Sequence, residues 1–212
     1  MKKAGLLKET QRHKILETSG ANLISVDVQP EYQDYFGWDA FSYGKMINSG
    51  YEHLNSLTFL FNGPDLGFLS EQEYQWWLIE ECGIHEDIIN TSNFFDKGYA
   101  FFRYCMDENV DEDELVRFIQ FMITKNITDS RDIDAEMWTT YMRDTGADES
   151  EVRDLLEPAE DMINIPDLMD FLKTYAGKLM LCGGGIQECL KEVEIALLAL
   201  QKPYNIYTDF TY

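Results

Sequence analysis

The chain has 212 residues, 45% hydrophobic and 14% aromatic, enough for the core of one sizeable domain or of one domain carrying an insertion. Its 17 basic and 39 acidic side chains leave a formal net charge of -22, a field that repels nucleic-acid phosphates and anionic lipid. No apolar run reaches the ~20 residues of a membrane-spanning helix and MKKAGLLKET lacks a long hydrophobic signal segment, so a cytoplasmic chain with reduced thiols and neither a membrane nor a nucleic-acid partner is expected.

Residues 1–20 set Lys2, Lys3, Lys8, Arg12, His13 and Lys14 among Leu6, Leu7, Ile15 and Leu16, which predicts an N-terminal helix. Gly20 and Asn22 punctuate it, and LISVDVQ predicts the first core strand. SLTFLF at 56–61 predicts another, stopped by the turn signal NGPD. In SEQEYQWWLIEECG, Ser70 and Glu73 can form a capping box, and Gly83 can close the helix. DIINTSNFF predicts a third strand.

Between 107 and 167 the character changes: 19 Asp or Glu stand against 5 Lys or Arg. Leu115, Phe118, Ile119, Met122 and Ile123 recur there at helical spacing, so this stretch reads as an acidic helical insertion or cap. It separates two parts, 21–106 and 168–212, of one α/β domain. KLMLCG, QECLKEVEIALLALQ and YNIYTDF restore a β–α–β order at the end. The β-rich runs lack clean alternation and are separated by amphipathic helical patterns. Together they predict an α/β fold with a mostly parallel Rossmann-like sheet and helices on both faces.

Such sheets bind ligands at their strand ends, and three polar residues fall there. Asp27 interrupts the apolar run Leu23–Val28, where an ionised carboxylate needs a partner; it reads as a sheet-end group capping backbone N–H groups or as a base or metal ligand at a crevice. Lys97, in NFFDKGYAFF, is either a lysine covering aromatic surface with its stem or an inward ammonium beside Asp27. Cys189 follows Gly183, Gly184 and Gly185 at the start of a helix, where backbone N–H groups favour a thiolate; an ordinary buried cysteine is the alternative, and Cys82 and Cys105 read as that. The three glycines read as a tight strand-to-helix turn or as a place for close ligand approach. The four cysteines make no CxxC pair, His13, His53 and His85 make no HExxH pair, and neither GxGxxG nor GxxxxGKS occurs; no metal and no cofactor are expected.

These segments resemble the isochorismatase-like cysteine hydrolases, the superfamily that includes nicotinamidases. NLISVDVQPEY looks like their opening strand, FFDKGYAFF like their lysine segment, and CGGGIQECLKEVEIALLAL like their nucleophile segment. The resemblance covers roughly 21–104 and 168–209. It implies catalytic roles for Asp27, Lys97 and Cys189 and an oxyanion site built from backbone N–H groups of Ile186, Gln187, Glu188 and Cys189. Ile186 stands where these proteins commonly carry threonine, and FNGPDLGF supplies Asp65 without the histidine of a nicotinamidase metal motif.

The expected function is therefore a cysteine hydrolase acting on a small amide or related planar substrate through an acyl-enzyme. Phe36, Trp38, Tyr99, Phe101 and Phe102 are candidates to stack on such a substrate, or core residues. Two other functions fit the sequence. One is a catalytically inactive scaffold that binds or inhibits a partner, for which a basic protein suits the charge. The other is a Mg²⁺ nuclease built on Asp27, Asp65, Glu188 and Asp209, which leaves Lys97 and Cys189 without a role. A homo-oligomer is expected, with the acidic insertion as one candidate surface.

Overall fold

The computed structural model describes residues 5–6, 20–98, 111–127, 132–152, 166–207 and 210–211. The chain divides into two compact units: 1–98 with 175–190 and 203–212, and 99–174 with 191–202. The second unit is wider than the 107–167 insertion expected from charge. It takes in the residues of the C-terminal helix from Lys191 onward.

The first unit holds a parallel sheet of six strands: β1 (Gly5–Leu6), β2 (Ala21–Val26), β3 (Leu54–Phe61), β4 (Asn93–Asp96), β5 (Leu179–Gly183) and β6 (Tyr204–Ile206). β1 is a two-residue edge, so five strands form the body. Their order is β1-β6-β5-β2-β3-β4. From β2 the chain winds outward through β3 to β4, and then β5 returns to the opposite side of β2. The winding reverses between β2 and β5, which opens a crevice at the carboxyl ends of those two strands. This is a Rossmann-like α/β arrangement.

Burial follows from the strand sequences. All six residues of β2 are buried, as an unbroken apolar run in a sheet covered on both faces should be. Leu23, Leu57, Phe59 and Met180 share a core cluster with Tyr43 and Ile47 of α1 (Ala40–Gly50), Tyr74 and Leu78 of α2 (Glu71–Glu80), and Ile88 and Ile89 of α3 (Glu86–Ile89). Each such large side chain contributes about 1.5–3 kcal/mol on burial. Ile24, Val26, Leu60 and Leu181 alternate onto the other face and are fully buried too.

Caps set the helix starts. Asp39 accepts the Ser42 N–H at 2.8 Å before α1. Before α2 the expected box forms: Ser70 Oγ accepts the Glu73 N–H, and Glu73 Oε2 accepts the Ser70 N–H at 3.0 Å.

Two expectations change. Residues 87–95 are not one strand: α3 occupies 86–89, and only Asn93–Asp96 pair in the sheet. Thr91 and Ser92 donate their hydroxyls to the carbonyls of Asp87 and Ile88, both at 2.7 Å, which closes the short helix before the strand begins. Within 1–20, Gly5–Leu6 pair with Asn205–Ile206 as a strand rather than a helix; the rest of that stretch, Gly20 apart, lies outside the described residues.

In the second unit, α4 (Glu112–Lys125) carries the apolar stripe that the spacing predicts, with Leu115, Phe118, Ile119 and Met122 buried. Asp111 caps it, three acids fill its first turn, and Asn126 ends it in the left-handed region at φ 56. Phe118 stacks on Trp138 of α5 (Ala135–Thr145), with ring centres 5.3 Å apart. Tyr141 meets Phe118, Phe121 and Trp138 edge-on. α6 (Pro166–Lys173) buries Leu168, Met169 and Leu172. The second unit also takes α7 (Cys189–Ala199) from Lys191 onward, and Lys191 pairs with Glu112.

Candidate active site

Because every strand is parallel, the residues that follow them gather at one edge of the sheet. Asp27 follows β2 with φ 48, unusual for a residue with a side chain. Aspartate tolerates that region better than most residues, and the Asp27 N–H still donates to the Leu60 carbonyl at 2.9 Å. Lys97 follows β4, and its N–H donates to Phe61 O at 2.9 Å. Across the end of β3, Lys97 Nζ donates to Asp27 Oδ2 at 2.5 Å, with both side chains wholly buried. Here the lysine is an inward ammonium, not a surface stem.

Two further clamps hold this edge. Gln29, fully buried, bonds the Asn62 backbone in both directions: its Nε2 donates to Asn62 O at 3.0 Å, and its Oε1 accepts the Asn62 N–H at 2.8 Å. Asn62 Nδ2 then donates to Tyr32 Oη at 3.1 Å. Asp96 Oδ1 accepts the N–H groups of Gly63 and Gly98, each at 3.0 Å, and so ties the ends of β3 and β4.

The glycine run is explained by two of its three members. Gly183 has φ 75, and a Cβ there would lie 2.4 Å from the Val26 carbonyl, so β5 turns against the end of β2 at a distance that no side chain permits. Gly184, at φ 59, continues the left-handed path. The Gly185 carbonyl then accepts the N–H groups of Glu188 (3.0 Å) and Leu190 (3.1 Å), which winds the chain into α7. Cys189 is the first residue of that helix, where the backbone presents partial positive charge.

Beside it lies a cavity of about 470 Å³, lined by Tyr32, Tyr35 and the turn Gly185–Cys189. The Tyr32 phenol is pushed up to about 12, first by burial and then by the Asp27 carboxylate and the Cys189 thiol group, with the Asn62 hydrogen bond and the Lys97 ammonium opposing. Asp27, Lys97 and Cys189 thus all bear electrostatically on one phenol. The other described thiols differ: Cys82 and Cys182 are buried in the core, and burial pushes both up, Cys182 to about 12.

Other sequence candidates are placed differently. Phe36 and Trp38 do not line the cavity; they stack on each other with centres 4.2 Å apart and pack against the core cluster. The Trp38 ring also meets Tyr43 and Phe210, the kind of arrangement expected under the core alternative for this pair. Tyr99, Phe101, Phe102, Cys105 and Asp209 lie outside the described residues. Of the four backbone N–H groups expected at an oxyanion site, that of Glu188 is already engaged by Gly185, whereas those of Ile186 and Gln187 make no such bond among the described residues. Asp65 is exposed in the turn after β3, Asp27 is held by Lys97, and no group of three or more His, Cys, Asp or Glu is arranged to hold a metal among the described residues. No helix among them is long and apolar enough to cross a membrane.

Comparison with protein-family models, with curated proteins and with solved structures found no match to this chain.

Sequence reasoning gave no role to Tyr32, Asn62 or Asp96. Gln29 and Tyr32 were within reach of it: their spacing, two and five residues beyond Asp27, carries the chain from a strand end into the short 3-10 segment Pro30–Tyr35 beside the cavity. Asn62 had only a turn signal to mark it.

Proposed function

We propose that this protein is a cysteine hydrolase acting on a small amide or related planar carbonyl compound. The observation that carries this reading is the buried Asp27–Lys97 pair at the carboxyl edge of the sheet, where the winding reverses, with Cys189 lining the cavity that follows β5. Asp27 accepts the Cys189 proton, and Lys97 keeps the carboxylate charged. The sulfur attacks the carbonyl carbon, and the resulting oxyanion is met by backbone N–H groups of the turn, Ile186 and Gln187 first. As the C–N bond breaks, Asp27 returns its proton to the leaving nitrogen. Water then attacks the thioester, giving a proton to Asp27 as base; the C–S bond breaks, releasing a carboxylic acid and regenerating the thiol. The half-exposed Cys189 and the cavity volume suit a small substrate.

The test is iodoacetamide alkylation read by peptide mass spectrometry between about pH 5 and 9, where a free cysteine titrates near its upper limit. Cys189 is expected to alkylate well below that limit, Asp27→Asn to suppress it, and an amide panel to show turnover that Cys189→Ala abolishes. A Cys189 no more reactive than an unfolded-chain thiol, and indifferent to Asp27→Asn, sinks the reading. Reactive Cys189 with no turnover on any amide would favour a scaffold that binds without catalysis.

A further inference from the structure

The reading above leaves Tyr32 without a part, although it lines the cavity together with Cys189. The phenol is held in place from behind. Gln29 fixes the Asn62 backbone by two bonds, and the Asn62 amide donates to Tyr32 Oη, so that oxygen already serves as an acceptor. A hydroxyl so engaged offers its own hydrogen to another acceptor. On its other side Tyr32 lines the cavity together with Cys189.

We propose that Tyr32 is a positioning residue whose O–H donates to the Cys189 sulfur once it is a thiolate, so that the Gln29–Asn62–Tyr32 chain holds the nucleophile charged and aimed into the cavity. The charged and titratable groups that bear on the Tyr32 phenol come from separate elements, Asp27 after β2, Lys97 after β4 and Cys189 at the start of α7, and Glu188 lines the cavity beside Cys189. The helix terminus and Lys97 favour a negative sulfur and the Glu188 carboxylate opposes it, while Asp27, having taken the thiol proton, is neutral. With Glu188 nearby, a neutral donor adds stabilisation without adding charge. Tyr32 remains protonated wherever a thiol titrates, since its phenol is pushed up to about 12.

This inference rests on Cys189 being the nucleophile, but its test does not need turnover. The pH profile of Cys189 alkylation by iodoacetamide is measured in the intact protein, in Tyr32→Phe and in Asn62→Leu. Tyr32→Phe retains the ring and loses only the O–H; its alkylation midpoint should rise by about one to two pH units, the range for losing a hydrogen bond to a charged group. Asn62→Leu, which frees the phenol to turn, should move the midpoint the same way by less. Thermal unfolding identifies a variant that has merely lost its fold; if Asn62→Leu does so, Tyr32→Phe decides alone. An unchanged midpoint in folded Tyr32→Phe overturns the proposal. If Cys189 is inert in the intact protein as well, the hydrolase reading falls with it; if Cys189 is reactive and only Tyr32→Phe is silent, that reading stands and this one does not.

Discussion

The two units bury polar groups in different settings. In the α/β unit they cluster at one edge of the sheet and answer one another: Asp27 with Lys97, Gln29 with Asn62, Asp96 with the N–H groups of Gly63 and Gly98. In the helical unit the packing centres on Phe118, Phe121, Trp138 and Tyr141, and most of the acids among its described residues are exposed, with Glu114, Glu192 and Glu194 buried. The acidic region dominates the composition, yet the wholly buried Asp27–Lys97 pair lies in the other unit. A charge run on helices is a solvated face; a single carboxylate at the end of an apolar strand is a constraint that the fold must meet.

The contrast can be tested by breaking each side. The largest effect is expected from Lys97→Met, which strips the buried Asp27 of its ammonium: about 3–5 kcal/mol of stability should be lost in urea unfolding. Asp27→Asn combined with Lys97→Met should recover much of it. Phe118→Ala in the helical unit should cost a similar ~3–5 kcal/mol by removing a buried aromatic ring, with faster hydrogen exchange along α4 and α5 as the local signature. Gly183→Ala comes next at about 2–4 kcal/mol, from a left-handed backbone and a Cβ driven into the Val26 carbonyl. Gly185→Ala, where the new atom meets the movable Glu188 side chain, should cost under about 1 kcal/mol.

The smallest effect is alkaline. Tyr32 in one unit and Tyr141 in the other are both pushed up to about 12, chiefly by burial. A phenol whose folded value is raised stabilises the fold below the ordinary tyrosine range near 10, and that contribution fades as pH climbs towards 12. Tyr32→Phe and Tyr141→Phe should therefore each flatten the decline of stability between about pH 10 and 12 relative to the intact chain. A slope changed by only one of them would show that the two units treat a buried phenol differently.

Much of the sheet was legible because its strands are apolar on both faces: Ala21–Val26, Leu54–Phe61 and Leu179–Gly183 stand out against their flanks. The short strand at Asn93–Asp96 was overextended, since Ile88 and Ile89 serve a helix as well as they would a strand. Asp27, Lys97 and Cys189 could be singled out because each interrupts or follows a β-rich pattern. Asn62 could not, because its placement depends on the register of β2 against β3, which pairs Val26 with Leu60 and so brings the residues beyond each strand together; Tyr32 was within reach by its spacing from Asp27, but its bond to Asn62 depends on that same register. For Phe36 and Trp38 the sequence leaves a substrate-stacking and a core role both open, because an aromatic pair carries no mark to say whether its faces are vacant; in the fold the two stack on each other.

The parallel register has a consequence for the newborn chain. Position 27 leaves the ribosome first, 62 and 97 follow, and 189 comes nearly last, so the sulfur acquires its neighbours only when long loops have closed and every intervening strand has docked. On the hydrolase reading proposed above, the appearance of one fast-reacting sulfur would be a clock for completed assembly.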